Sequence, residues 1–161
     1  MFDHEVYVIR IALPGDIESL IELCAEHAAY EEVQYDPQDK DIHLAGALFT
    51  ASPRLYAWVV EQHGRLMGYA TATEEFSTWD ADAFLHMDCL YLREEVRGAG
   101  LGRRLIREIA SLALQLGCVN VQWQTPLWNA HAISFYQHLG AEGKQKVRFF
   151  FAADALETFL E

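Results

Sequence analysis

Arg97-Gly98-Ala99-Gly100-Leu101-Gly102-Arg103-Arg104 (RGAGLGRR) is the stretch on which the reading of this chain turns. It follows an apolar run, residues 83–92 (AFLHMDCLYL). It opens a segment, 100–116, in which Leu101, Leu105, Ile109, Leu112 and Leu116 recur at helical spacing. A strand, a glycine loop and a helix start in that order suit a phosphate. Glycine lets a ligand approach the backbone closely. The free N–H groups and positive dipole end of a helix start hold anions, and Arg97, Arg103 and Arg104 can add charge-assisted bonds. The loop is not a Walker loop, because Gly-Lys-Ser/Thr is absent. It is not a dinucleotide fingerprint either: counted from Gly98, the third glycine would fall at Arg103, and such loops follow a first strand rather than a late one. On its own the loop could also be a glycine-rich connector with exposed arginines.

Working outward, residues 6–12 (VYVIRIA) read as a strand that Pro14 and Gly15 break. Asp16 offers an N-cap for a helix with Ile17, Leu20, Ile21, Cys24 and Ala28 on one face. A shorter helix is expected over about 40–49. Residues 55–62 and 65–73 read as a hairpin turning at His63-Gly64. Residues 83–92 form a buried strand, and 119–125 (VNVQWQT) form another, ended by Pro126. Asn129 caps a helix running to Leu139, with Gly140 just past its end. Lys146 to Ala152 (KVRFFFA) reads as a last strand. The order βααβββαβαβ makes a mixed α/β domain, expected to span residues 1–161 as one unit.

Composition narrows the function. The chain has 161 residues, of which 52% are hydrophobic, enough for a core and too many for a disordered segment. No apolar run nears the ~20 residues of a membrane helix. The first residues lack the features of a secretory signal, so a soluble cytoplasmic protein is expected. Cys24, Cys89 and Cys118 are odd in number and widely spaced, so neither a disulfide framework nor a metal cage is expected. A net charge of −12 argues against nucleic acid and anionic membranes as partners. The charge is unevenly spread. Five cations (Arg93, Arg97, Arg103, Arg104, Arg107) fall between 93 and 107, while residues 16–41 carry nine carboxylates against Lys40 alone. One segment is ready for an anion, the other for a cation.

The loop 97–102 also matches, through Arg97, Gly100 and Gly102, the R/Q-x-x-G-x-G/A signature of the GCN5-related N-acetyltransferases (GNAT). Residues 128–141 (WNAHAISFYQHLGA) resemble that family's second signature, Asn and then Phe-Tyr leading to Leu-Gly. Within the family the chain looks most like the spermidine/spermine and thialysine acetyltransferase branch, through AAYEE (28–32), FSTWDAD (76–82) and WN…FYQHLGA. That branch carries Glu-Asp in its central strand where this chain has Asp88-Cys89.

The resemblance implies a mostly antiparallel central sheet with helices on both faces and a splay between the strands at 83–92 and 119–125. Acetyl-CoA would lie in that gap. Leu90, Tyr91 and Leu92 would bond its pantetheine arm through their backbone. Arg97, Gly98, Ala99, Gly100, Leu101, Gly102 and Arg103 would hold the pyrophosphate, and Asn129 and Tyr136 would complete the cofactor contacts. Tyr136 would be the general acid for the departing thiolate; without the motif it reads first as a core aromatic. Asp88 is the first candidate base or ammonium holder, and His86 the second, two residues along the same strand. Tyr30, Glu31, Glu32, Trp79, Asp80, Asp82 and Asp88 offer carboxylates and aromatic rings to a cation. The expected activity is acetyl transfer to a primary amine of a polyamine, diamine or lysine-like substrate, with no metal. Rival readings are an acetyltransferase for a protein N-terminus, a lysine or an antibiotic amine, and a CoA-binding sensor without turnover. The branch commonly forms homodimers through the C-terminal strand, and the apolar run beginning at Val147 is compatible with that.

Overall fold

The computed structural model describes residues 7–160. The expected start of the first strand at Val6, and the N-terminal residues read for a secretory signal, lie outside the described residues. The chain divides into two compact units, one ending at Gln124 and one beginning at Thr125.

The first unit is a five-stranded sheet with strands in sequence order. It is built from β1 (Val8–Ile11), α1 (Ile17–Tyr30), α2 (Lys40–Leu48), β2 (Tyr56–Gln62), β3 (Arg65–Ser77), β4 (Asp82–Leu92), α3 (Leu101–Gln115) and β5 (Val121–Gln122). The β1–β2, β2–β3 and β3–β4 pairs are antiparallel, and β4–β5 is parallel. His63 and Gly64, at φ 50° and 78°, turn the β2–β3 hairpin as expected.

Alternation divides the sheet into two apolar faces. Ala57, Val59 and Tyr69 are buried with Leu20 and Leu23 of α1, and Cys24, Cys89 and Tyr91 pack against them. Trp58, Val60, Ala70, Ala72, Leu85 and Met87 point the other way and are also buried. That second face is covered by α3, whose Leu101, Leu105, Ile109 and Ala113 are buried. Each such side chain removed from water contributes about 1.5–3 kcal/mol. Helices on both faces of a mostly antiparallel sheet match the expected class.

Asp16 does not cap α1. It sits in a 3-10 turn (Pro14–Asp16) with helical φ and ψ, and its side chain makes no capping bond to α1. Its carboxylate instead accepts from Arg10 (2.6 and 2.9 Å) and from the Leu13 N–H (2.7 Å). A bidentate guanidinium outcompetes the helix end for a short acid. The buried stripe of α1 also differs: Leu20 and Leu23 are its buried residues, with Cys24 packed beside them.

The second unit holds α4 (Ala130–His138) and α5 (Ala153–Phe159). Asn129 does cap α4, accepting from the Ala132 N–H at 3.2 Å. Gly140, at φ 92°, closes it: the N–H of Gly140 reaches Gln137 O and that of Ala141 reaches Tyr136 O. The expected last strand at 146–152 is absent. The segment has no strand partner among the described residues, and its phenylalanines are exposed (Phe149 88%). Strand propensity in VRFFF yields a strand only where a neighbour takes its backbone bonds.

Candidate active site

β4 carries the candidate residues His86, Asp88, Leu90, Tyr91 and Leu92, and its pairing sets where each stands. Against β3 the register runs Tyr69↔Tyr91, Ala70↔Leu90, Thr71↔Cys89 and then Ala72↔Met87, so Asp88 is an extra residue in a β-bulge. A bulge bends its strand and re-aims the side chain there. Asp88 is exposed, with its carboxylate 3.8 Å from Cys89 Sγ. The register places His86 (opposite Thr73), Cys89 and Tyr91 on the α1 face of the sheet, and Met87, Leu90 and Leu92 on the α3 face.

On its other edge β4 pairs with β5 only at Leu85↔Val121 and His86↔Gln122. Two bonds precede these, Val119 N–H to Ala83 O and Leu85 N–H to Asn120 O. The expected strand 119–125 is thus confined to two residues. From Met87 to Leu92 that edge of β4 pairs with no strand among the described residues, so the splay begins at the bulge. Six residues of unpaired edge fit an extended ligand that bonds like a strand.

The edge runs into the glycine loop. Gly98 and Gly100 have φ of 84° and 75°, a left-handed conformation that disfavours other residues, and nothing lies within 4 Å of where either Cβ would stand. That open space fits a phosphate group. α3 starts at Leu101, so the N–H groups of Leu101, Gly102 and Arg103 have no acceptor within the helix. Arg97 is held in place: Nε donates to Leu92 O at 2.9 Å, and the guanidinium lies 5.0 Å from the Tyr30 ring centre and 5.8 Å from that of Tyr91. Tyr30, expected to meet the substrate, therefore stacks at the loop end of the strand. Leu92, one of three residues expected to bond the ligand through the backbone, has its carbonyl bonded by Arg97.

Behind the edge lies a polar cluster that inspection of the sequence missed. Arg93 donates to Glu26 of α1 at 2.6–3.2 Å and to Leu66 O at 2.9 Å, tying β4, α1 and β3 together. Arg93 holds the Glu26 carboxyl below the usual carboxylate range. His27 Nδ1 is 3.0 Å from Tyr69 Oη, and its ring stacks on Tyr91 at 5.2 Å. Burial pushes the His27 imidazole down, and Glu31 opposes this. Burial pushes the Tyr69 phenol far up, and the Cys89 thiol up to about 12, so Cys89 is no ready nucleophile. His27 was discoverable: it continues the buried stripe 20, 23, 24 at helical spacing.

Glu31 ends α1 near His27. Trp79 is 96% exposed at the tip of the β3–β4 hairpin with Asp80 and Asp82, about half the length of β4 away from the bulge. Glu32, after α1, is exposed. Asn129 and Tyr136 belong to the second unit, where Tyr136 is half-buried and its ring lies 5.2 Å from that of Phe135. Among the described residues no three His, Cys, Asp or Glu side chains group as metal ligands. No helix among them is long and apolar enough to cross a membrane.

Residues 18–141 match the model of the Acetyltransferase (GNAT) family. The chain belongs to that family. It is accordingly an acetyltransferase, and family members of known activity resemble it over most of their length. Thialysine N-epsilon-acetyltransferase of Bos taurus is 28% identical over 143 residues, 84% of each chain. Among solved structures, an integron cassette protein from the mobile metagenome of V. cholerae superimposes with a TM-score of 0.79 at 22% identity, covering 96% of this chain and 98% of that one. Aminoglycoside N-acetyltransferase AAC(6')-Iy, solved in complex with CoA, gives 0.79 at 16% identity over 92% and 95%. At such identities the solved structures speak for this GNAT protein's fold alone.

Proposed function

We propose that this GNAT protein is a single acetyltransferase domain that moves the acetyl group of acetyl-CoA to a primary amine of a small cation, a polyamine, diamine or lysine-like molecule. The observation that carries the reading is the unpaired edge Met87–Leu92, which begins at the bulged Asp88 and ends at the open glycine loop. Acetyl-CoA supplies the thioester. Backbone groups at Leu90 and Tyr91 align its arm and polarise the carbonyl. The loop 97–103 receives the phosphates. Asp88 and Glu31 hold the ammonium, with His86 as a further acceptor for its proton. The freed amine nitrogen attacks the carbonyl, and the thiolate leaves with a proton from Tyr136, the family's usual acid, on the helix that Asn129 caps. A phenol of ordinary pKa ~10 and a thiol of ~8.5 make that transfer uphill but feasible. Likeness to a thialysine acetyltransferase supports the amine class. A cytoplasmic homodimer completes the reading. The exposed Val147, Phe149 and Phe150 support the dimer, and a monomer in analytical ultracentrifugation would remove it.

The test is release of CoA thiol from acetyl-CoA with spermidine, spermine, short diamines, thialysine, lysine, an aminoglycoside and a basic peptide. Small polycations should turn over, and Tyr136→Phe should lower kcat by about 100-fold or more. Turnover with the peptide or the aminoglycoside alone would replace the substrate class. If no amine reacts while acetyl-CoA still raises the Tm, the protein is a CoA-binding sensor instead.

A further inference from the structure

His27 makes more contacts than a packed histidine on a helix stripe needs. Its side chain is only 14% exposed. Nδ1 lies 3.0 Å from Tyr69 Oη, Nε2 lies 3.4 Å from Glu31 Oε1, and the ring stacks on Tyr91 with 21° between planes while Tyr69 meets it edge-on. The Glu31 carboxylate beside Nε2 only accepts and burial keeps the Tyr69 phenol protonated, so the arrangement that satisfies both ring nitrogens has the Tyr69 O–H donating to Nδ1. Burial also favours the neutral imidazole. A neutral ring whose Nδ1 accepts carries its one proton on Nε2. That N–H therefore faces a carboxylate whose side chain is one-third exposed. The groups around the ring are Glu31 just past the end of its own helix, Tyr69 from β3, and Tyr91 and the charge of Asp88 from β4.

We propose that His27 is a positioning residue for the amine: Tyr69 locks its tautomer, and its Nε2–H holds one Glu31 oxygen so that the other is presented to the substrate ammonium. The assignment rests on the reading that Glu31 receives that ammonium. An unheld glutamate side chain just past the last turn of a helix samples several rotamers, and fixing one removes that entropy before the substrate arrives. The stack on Tyr91 sets the height of the imidazole against the strand that bonds the acetyl donor.

The experiment is a double-mutant cycle with His27→Leu, Glu31→Gln and both together, read against spermidine and acetyl-CoA, with His27→Gln as rescue. His27→Leu should raise the amine KM about tenfold, the size expected for one hydrogen bond to a charged group. The kcat and the acetyl-CoA KM should stay within about twofold of wild type. Glutamine offers an N–H to Glu31 one helical turn on and should recover most of the loss. In the Glu31→Gln background His27→Leu should do nothing more. Nitrogen NMR of labelled histidine, a readout independent of turnover, should show Nε2 protonated and shifting when spermidine is added. An unchanged amine KM in His27→Leu, an equal effect in both backgrounds, or an Nδ1-protonated ring overturns the assignment while leaving the small-amine reading intact. Absence of turnover with every small amine overturns that reading and the assignment together.

Discussion

Asp16, Glu26 and His27 each titrate differently in the folded chain, and the signs are distinct. Arg10 holds Asp16 below its ordinary 3.8, and Arg93 holds Glu26 below its ordinary 4.5. Both contributions are present above those values and fade as pH falls through them, because the unfolded chain takes the proton first. His27 sits below its ordinary 6.5, chiefly through burial. Between its folded pKa and 6.5 the unfolded chain again binds the extra proton, so stability falls as pH drops below 6.5 and is level above it. Urea unfolding as a function of pH should therefore show two declines, one beginning near 6.5 and one near 4.5. His27→Gln should shrink the upper decline and leave the lower. An upper decline of the same size in His27→Gln would mean that other histidines produce it. At this scale Asp88 was legible as the candidate acid, because its strand was legible. That it would be the extra residue of a bulge was not, since a bulge is a property of two strands.

At the scale of elements, β3 leaves no room for a side chain at Gly68, opposite the end of the proposed cofactor edge. A Cβ on Gly68 would stand 2.5 Å from Leu92 Cδ2 and 2.6 Å from the Tyr91 carbonyl oxygen. Backbone cannot give way as a side-chain tip can. Gly68→Ala should cost about 1–3 kcal/mol and shift the Tyr91–Leu92 backbone, weakening acetyl-CoA in calorimetric titration. Gly46 in α2 is the control: nothing lies within 4 Å of its Cβ position and its φ is not positive. Gly46→Ala should stabilise by about 0.5–1 kcal/mol and leave acetyl-CoA binding alone. Normal acetyl-CoA affinity in a destabilised Gly68→Ala would separate the edge from the cofactor. The strand–loop–helix passage was readable from local signals alone: β-branched and apolar residues, then glycines, then leucines at helical spacing. Residues 146–152 misled because their strand propensity was equally local, while among the described residues no strand pairs with them.

At the scale of the whole molecule, a net charge of −12 attracts a polycation and repels CoA, which is itself an anion. The arginine-rich loop offsets the second effect only within about a Debye length. Raising salt from ~20 to ~300 mM should lower kcat/KM for spermidine severalfold, and lower that for acetyl-CoA less or raise it. Equal salt dependence for the two substrates would count against a charge-selected amine.

What this chain determined through its sequence is what short-range chemistry can encode: the strand-loop-helix around Gly98 and Gly100, the Asn129 cap, the hairpin at His63-Gly64, and two signatures whose order and spacing name the family. Tertiary structure decided the rest. It set where β5 leaves β4, made Asp88 a bulge, turned Tyr30 onto Arg97, gave Asp16 to Arg10, and closed His27, Tyr69 and Glu31 into one cluster. Most of these depend on contacts between residues distant in sequence or on neighbouring strands, and the Asp16–Arg10 pair on a competition between partners. The free energy of such a contact is set by register, burial and the competing partner, none of which a residue carries in its own identity.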